Sequence, residues 1–235
     1  MTMVTKSKNV VCAIIGDVVS SRSADQQPMF ETLAEVLAWV NREVDHVQPM
    51  ALAPAAGDEI QGACRSIADA LKSTLFIQLR LHGQYQLRFG IGQGSTESPR
   101  KSEPTIARSG SAWWNARDAM TALAGLESRK KGLPSSDIRT RLSVGSDGDH
   151  LTEALTNGLL LFRDQIVQNM SRTDALVTLE LFRGKRQVDI KRELKISQSA
   201  VSDVSRKKGA ALLIRCQRML DEVVGTPSKH DGALQ

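Results

Sequence analysis

The sequence predicts an α+β fold, a ferredoxin-like sandwich of helices against one mixed sheet, followed by an all-α segment. Two observations predict it. Over the first 150 residues, apolar periodicity reads strand, helix, hairpin, helix, strand, helix, strand, and past residue 151 it turns wholly helical. Charge divides the chain the same way. Between 171 and 220 there are 12 Lys/Arg against 5 Asp/Glu, an excess of seven in a chain of net charge +5, so the remainder carries about −2. With 235 residues the chain is long enough for two packed units.

The elements follow in order. The β-branched run 10–15 closes on Gly16-Asp17 and reads as a buried strand ending in a turn. Residues 28–47 place Phe30, Leu33, Leu37, Val40 and Val44 on one helical face. Two short strands, 50–56 and 60–64, flank Gly57-Asp58-Glu59 as a hairpin tip. A helix over 65–81 breaks at His82-Gly83, and Tyr85, Leu87, Phe89 and Ile91 alternate as a half-buried strand should. A Ser- and Pro-rich exposed loop, 96–104, precedes a helix over 107–126 that carries Trp113, Trp114, Asn115 and Arg117. A charged connection, 127–137, leads to a last strand, 138–144. An amphipathic helix over 151–170 then bridges to the C-terminal unit, 171–225, with a disordered tail at 226–235. The expected domains are thus 1–150, the bridge and 171–225.

No run of eighteen apolar residues appears and the N-terminal residues 1–9 are polar, so the expectation is a soluble cytoplasmic protein without a membrane partner. Cys12, Cys64 and Cys216 show no metal-binding spacing and read as buried thiols.

Segment 187–202 has what two helices crossing at a tight turn require. Val188, Ile190 and Leu194 give the first helix an apolar side, and Lys195-Ile196 makes the turn. Ser197 sits at an N-cap, with Ile196 before it and Val201 after it at the spacing of a hydrophobic staple. In the second helix Ala200, Val201 and Val204 fall on one side, and Gln198, Ser199, Ser202 and Arg206 on the other. Those short polar groups can reach base edges, while Arg186, Lys191, Arg192, Lys207 and Lys208 supply phosphate partners. The string Ile-Ser-Gln-Ser-Ala-Val-Ser at 196–202 resembles the helix-turn-helix of bacterial regulators, with Lys195 where that motif usually has Gly. It implies a reader of double-stranded DNA acting in transcription regulation. Beyond Gly209 an apolar stripe of Leu212, Leu213, Cys216, Met219, Leu220 and Val223 either packs back or forms a dimer seam.

In the first half, Asp17 at a strand end and Asp58-Glu59 at a hairpin tip would bring carboxylates together, a set of hard ligands suited to Mg²⁺. A plainer reading makes them turn residues. The blocks Ile14-Ile-Gly-Asp-Val-Val-Ser-Ser-Arg22, Ala56-Gly-Asp-Glu-Ile-Gln61 and Leu87-Arg-Phe-Gly-Ile-Gly-Gln-Gly94 resemble the SatD family over most of the chain up to about residue 150. More distantly they resemble the palm domain of nucleotidyl cyclases and GGDEF proteins. That likeness implies metal on Asp17, Asp58 and Glu59, and a nucleotide met by Arg22, Gly57, Arg88, Trp114 and Arg117. Cyclases space an Asn and an Arg four apart on a late helix, whereas Asn115 and Arg117 are two apart and cannot share a face. The leading expectation is a homodimeric regulator whose palm-like domain senses a nucleotide or metal. The competing one is a Mg²⁺-dependent nucleotidyltransferase or cyclase localised by its helix-turn-helix.

Overall fold

The structure is a computed structural model that describes residues 10–19, 26–44, 49–55, 57–96, 109–128 and 138–224. Arg22, the N-terminal residues 1–9, the connection over 129–137 and the tail at 226–235 lie outside the described residues, as does most of the expected loop over 96–104. Among the described residues the protein is a mixed α+β fold with one five-stranded sheet and eight helices.

The elements run β1 (Val10–Val18), α1 (Gln26–Glu43), β2 (Met50–Pro54), β3 (Ile60–Cys64), α2 (Ile67–Leu81), β4 (Leu87–Ser95), α3 (Ser111–Ser128), β5 (Thr140–Ser143), α4 (His150–Gln168), α5 (Arg172–Phe182), α6 (Gln187–Leu194), α7 (Gln198–Lys207) and α8 (Ala210–Val224). The sheet order is β2-β3-β1-β4-β5, antiparallel at every pair except β4 with β5, which are parallel. Side chains alternate across the sheet, so β1 sends Cys12 and Ile14 to one face, and Val11, Ala13 and Ile15 to the other.

The first face holds the main core. Ile14, Phe89 and Ile91 meet Leu33, Leu37 and Val40 of α1 and Leu71, Leu75 and Leu79 of α2, all buried. This core does not stop at the sheet: it continues through Leu160 and Val167 of α4, Ala175 and Leu179 of α5 and Leu213 of α8. The α8 stripe therefore packs back in part, and Gln217 fixes it by donating to the Ala68 carbonyl at 3.0 Å. Phe182 of α5 meets Phe76 of α2 edge-on at 5.8 Å, and Arg183 reaches Glu43 at 3.1 Å. Helices α6 and α7 have a small cluster of their own, Ile190, Val201 and Val204 against Val177 and Ala210.

The second face is covered by α3, and glycines decide how closely. A Cβ at Gly92 would lie 2.1 Å from both the Ala112 oxygen and the Ala116 nitrogen, and one at Gly90 would lie 2.3 Å from the Ala116 oxygen. Helix backbone thus rests on strand backbone, a close approach only Gly permits. Trp113 is buried in this layer, and Trp114 on the outer side of α3 is 61% exposed.

Two strand ends differ from the sequence reading. Gly16 and Asp17 belong to β1, because β1 is paired on both sides and Asp17 lies opposite Arg88. β4 continues to Ser95, past the Ile91 where its visible alternation stops. Cys12 and Cys64 are buried, and burial pushes the Cys12 thiol up, far from a reactive thiolate. Cys216 is only half-buried.

Candidate functional site

At the rim of the α3-covered face, Asp17 is held by Arg88 from the neighbouring strand. Arg88 donates through Nε to Oδ1 at 2.9 Å and through Nη2 to Oδ2 at 2.7 Å, a bidentate pair that occupies both carboxylate oxygens. On the other side of β1, the Ala55 amide donates to the Glu59 carbonyl at 2.7 Å and closes a turn over Gly57 and Asp58. Gly57 adopts φ +67°, the left-handed conformation that such a turn needs. Continuing the β1–β3 register past Gly16 and Ile60 sets Glu59 beside Asp17. Gln61 donates to Glu59, and Arg117 of α3 approaches its two oxygens at 3.4 Å each. Trp114 lies one helical turn before Arg117 on the same exposed side.

The structure therefore brings together Asp17, Glu59, Arg88 and Arg117 as alternating charges, with Gly57 and Asp58 on the adjoining turn. Among the described residues no group of three or more His, Cys, Asp or Glu side chains is placed to hold a metal ion. The expected set Asp17, Asp58 and Glu59 is not such a group: Arg88 holds both oxygens of Asp17, and Arg117 approaches Glu59. Asn115 faces away from Arg117: it is buried and donates to the Gln93 carbonyl at 2.7 Å.

The second region is α6, its turn and α7. Capping explains each boundary. Ser171 and Asp174 form a capping box that starts α5. Lys195 ends α6 at φ 54° and ψ 43°, so a lysine takes the left-handed conformation that glycine usually supplies, and its N–H returns to the Lys191 carbonyl. Ser197 Oγ then accepts from the Ala200 amide at 3.1 Å and starts α7. Ile196 and Leu194 are partly buried against the Val201 and Val204 cluster.

The outer surface is polar and open. Gln198, Ser199, Arg206 and Lys207 are exposed and Ser202 is half-buried, with Arg206 donating to its hydroxyl. Gln198 Nε2 donates to Gln187 Oε1 at 3.1 Å, tying the start of α7 to the start of α6. Arg186 and Arg192 both pair with Asp189, at 2.9 and 3.1 Å, and Lys207 pairs with Asp203 at 3.0 Å. Lys191 is exposed and makes no ion pair with the described residues. Val188, expected on the inner side of α6, is instead 54% exposed, since Ile190 alone fills the small core there.

The sequence model of the SatD family matches residues 11–224. The chain belongs to the SatD family. No curated protein matches the sequence significantly. The match runs past residue 150, where the resemblance was expected to end, through α4 to the end of α8. The helical C-terminal part is therefore as much a part of a SatD chain as the sheet. No described helix is long and apolar enough to cross a membrane.

One polar centre of this SatD protein escaped the sequence reading. Arg163 and Asp164 of α4 are buried and touch at 3.4 Å. Arg163 donates to the Leu71 carbonyl at 3.1 Å, to Thr74 and to Thr140, while Asp164 accepts the Arg139 and Thr140 amides at 2.7 Å each. Burial pushes the Asp164 carboxyl up, opposed by Arg163 and the two amides. The network ties α4 to α2 and β5. Its signal was positional: 160, 163, 164 and 167 share one helical face, so a charged pair stands in line with Leu160 and Val167.

Proposed function

We propose that this SatD-family chain is a DNA-binding transcriptional regulator, in which α6 and α7 form a helix-turn-helix and α7 enters the major groove. The surface of α7 carries the reading. Val201 and Val204 anchor it from below, and the outward side carries base-edge and phosphate partners, Gln198, Ser199, Ser202, Arg206 and Lys207, with Asp203 beside Lys207. The surrounding ion pairs support it. Arg186 and Arg192 are more than three-quarters exposed, so their links to Asp189 are weak and exchange readily for phosphate. Reading two half-sites makes the active form a homodimer.

The β-α-β-β-α-β order with strands 2-3-1-4 antiparallel supports a ferredoxin-like, palm-type sandwich for the first part. Its sensing surface is the rim of Gly57, Glu59, Arg117 and Trp114. Arg117 is 62% exposed and only loosely paired, so it is the group that turns to a nucleotide at least cost. The donor set does not fit a resident Mg²⁺, because a cation on Asp17 must displace a bidentate arginine. That weighs against the nucleotidyltransferase or cyclase reading, as does the buried Asn115.

Binding of the intact protein to genomic fragments from its own locus tests the proposal. Specific binding is expected with a steep salt slope, lost at least 100-fold in Ser199→Glu/Arg206→Glu. Equal behaviour of the two proteins would overturn it. Turnover of ATP or GTP with Mg²⁺ or Mn²⁺, abolished in Asp58→Ala, would restore the enzyme reading.

A further inference from the structure

Ten large apolar side chains stand largely exposed among the described residues, and seven of them lie on α4 and α8. On α4 they are Leu151, Leu155, Leu161 and Phe162, between 48% and 73% exposed. An ordinary amphipathic helix hides its apolar side and shows its charges. Helix α4 buries Leu160 and Val167 but hides its charges with them and shows a second apolar side. Its charged pair Arg163-Asp164 is buried against α2 and β5, and Glu153 turns inward to accept the Val144 amide at 3.1 Å. Between 151 and 165 the outward side of α4 carries no charged residue.

Gly158 lies in the middle of this stripe, three residues after Leu155 and four before Phe162. A Cβ there would meet nothing within 4 Å, so no packing inside the chain explains it. A glycine in a helix interior costs about 1 kcal/mol relative to alanine.

On α8, Leu212, Met219 and Val223 are 61%, 59% and 88% exposed. The two stripes meet across an apolar groove of about 320 Å³, walled by Leu71, Leu75, Leu159, Ile166, Leu213 and Leu220, with Phe162 and Leu212 on its border. Summed over the two helices, the seven residues leave on the order of 800 Å² uncovered, against the ~300–600 Å² of a monomer's largest single patch. It is about what each partner gives to a standard interface.

We infer that this face is the seam through which two copies of the chain pair, with α4 crossing its own copy at Gly158. The uncharged α4 stripe has no means of selecting a charged partner, and it is its own complement under a two-fold axis. With the axis near Gly158, Leu155 of each copy faces Leu161 and Phe162 of the other, and the absence of a Cβ lets the backbones approach. Because α4 leads through Asn169 and Met170 straight into α5, the pairing also carries the two α7 helices as one unit. In that last argument the inference rests on the DNA-reading function proposed above.

The test is the mass of the full chain, without DNA, by analytical ultracentrifugation at micromolar concentration. Twice 25.7 kDa is expected for the wild type and 25.7 kDa for Leu155→Glu/Phe162→Glu, with unchanged circular dichroism. Gly158→Leu provides a second variant that favours the helix itself, and it is expected to weaken dimerisation at least tenfold. A wild type that stays at 25.7 kDa, a Glu variant that stays double, or a Gly158→Leu dimer as tight as wild type would each overturn the inference. The two readings fail separately: a dimer through this seam that binds no fragment sinks the DNA reading alone, and a monomer that binds specifically sinks the seam alone.

Discussion

The rim of the sheet and the surface of α6–α7 are both rich in charge, but they hold it differently. At the rim Asp17 and Arg88 come from neighbouring strands, are about a quarter exposed or less, and satisfy each other at two hydrogen bonds. On α6–α7 the pairs of Arg186, Arg192 and Lys207 are local, three or four residues apart, and these cations stand more than 70% exposed. Charge of the first kind is committed to the fold. Charge of the second kind is available to a partner, because water already solvates it and salt already screens it.

The contrast can be broken by substitution. Gly92→Ala forces a Cβ into the backbone of α3 and is expected to cost about 3 kcal/mol or more of stability in chemical denaturation; a loss under about 1 kcal/mol would show that α3 is not seated as tightly as described. Arg88→Ala leaves a half-buried carboxylate without its cation and should cost about 1–3 kcal/mol, with DNA affinity unchanged. The converse holds for Lys191→Gln, for which stability should move by less than about 0.5 kcal/mol. Its DNA affinity should fall alike on every sequence, with the salt slope reduced by about 1.

Two smaller effects sharpen the picture of the helices. Lys195→Gly relieves a left-handed lysine and should raise stability by about 1 kcal/mol, read as a higher denaturation midpoint. Asp149 caps α4, and the hydrogen bonds from Thr152 and Leu151 hold its carboxyl below the usual range. A depressed folded value means that the cap stabilises above the ordinary carboxylate pKa of about 4 and is lost as pH falls through the folded value. Asp149→Asn should therefore flatten the dependence of Tm on pH in acid.

What was legible in the sequence was local. Ser197, Ile196 and the Val201/Val204 spacing mark the turn between α6 and α7 because caps and staples involve residues within one helical turn of each other. What stayed hidden depends on distant partners. The end of β4 was invisible because Gly92 and Gly94 face helix backbone instead of side chains, which erases the alternation. Gly16-Asp17 looked like a turn because nothing nearby in sequence announces Arg88, 71 residues on. The three carboxylates expected to share a cation looked like a cluster for the same reason: the arginines that pair with Asp17 and Glu59 come from β4 and α3. Val188 read as core by period alone, whereas the α6 core is too small to take it. On α4 the position of Arg163 and Asp164 in line with Leu160 and Val167 was visible, but not that α2 and β5 receive them.

The most direct test of this division is one DNA titration, by fluorescence anisotropy across a salt series, of the wild type, Asp17→Asn and Ser199→Glu/Arg206→Glu. Asp17→Asn is expected to bind like the wild type with the same salt slope, while the α7 variant loses specific binding. An α7 variant that still binds, or an Asp17→Asn protein that fails to bind while folded, would contradict it.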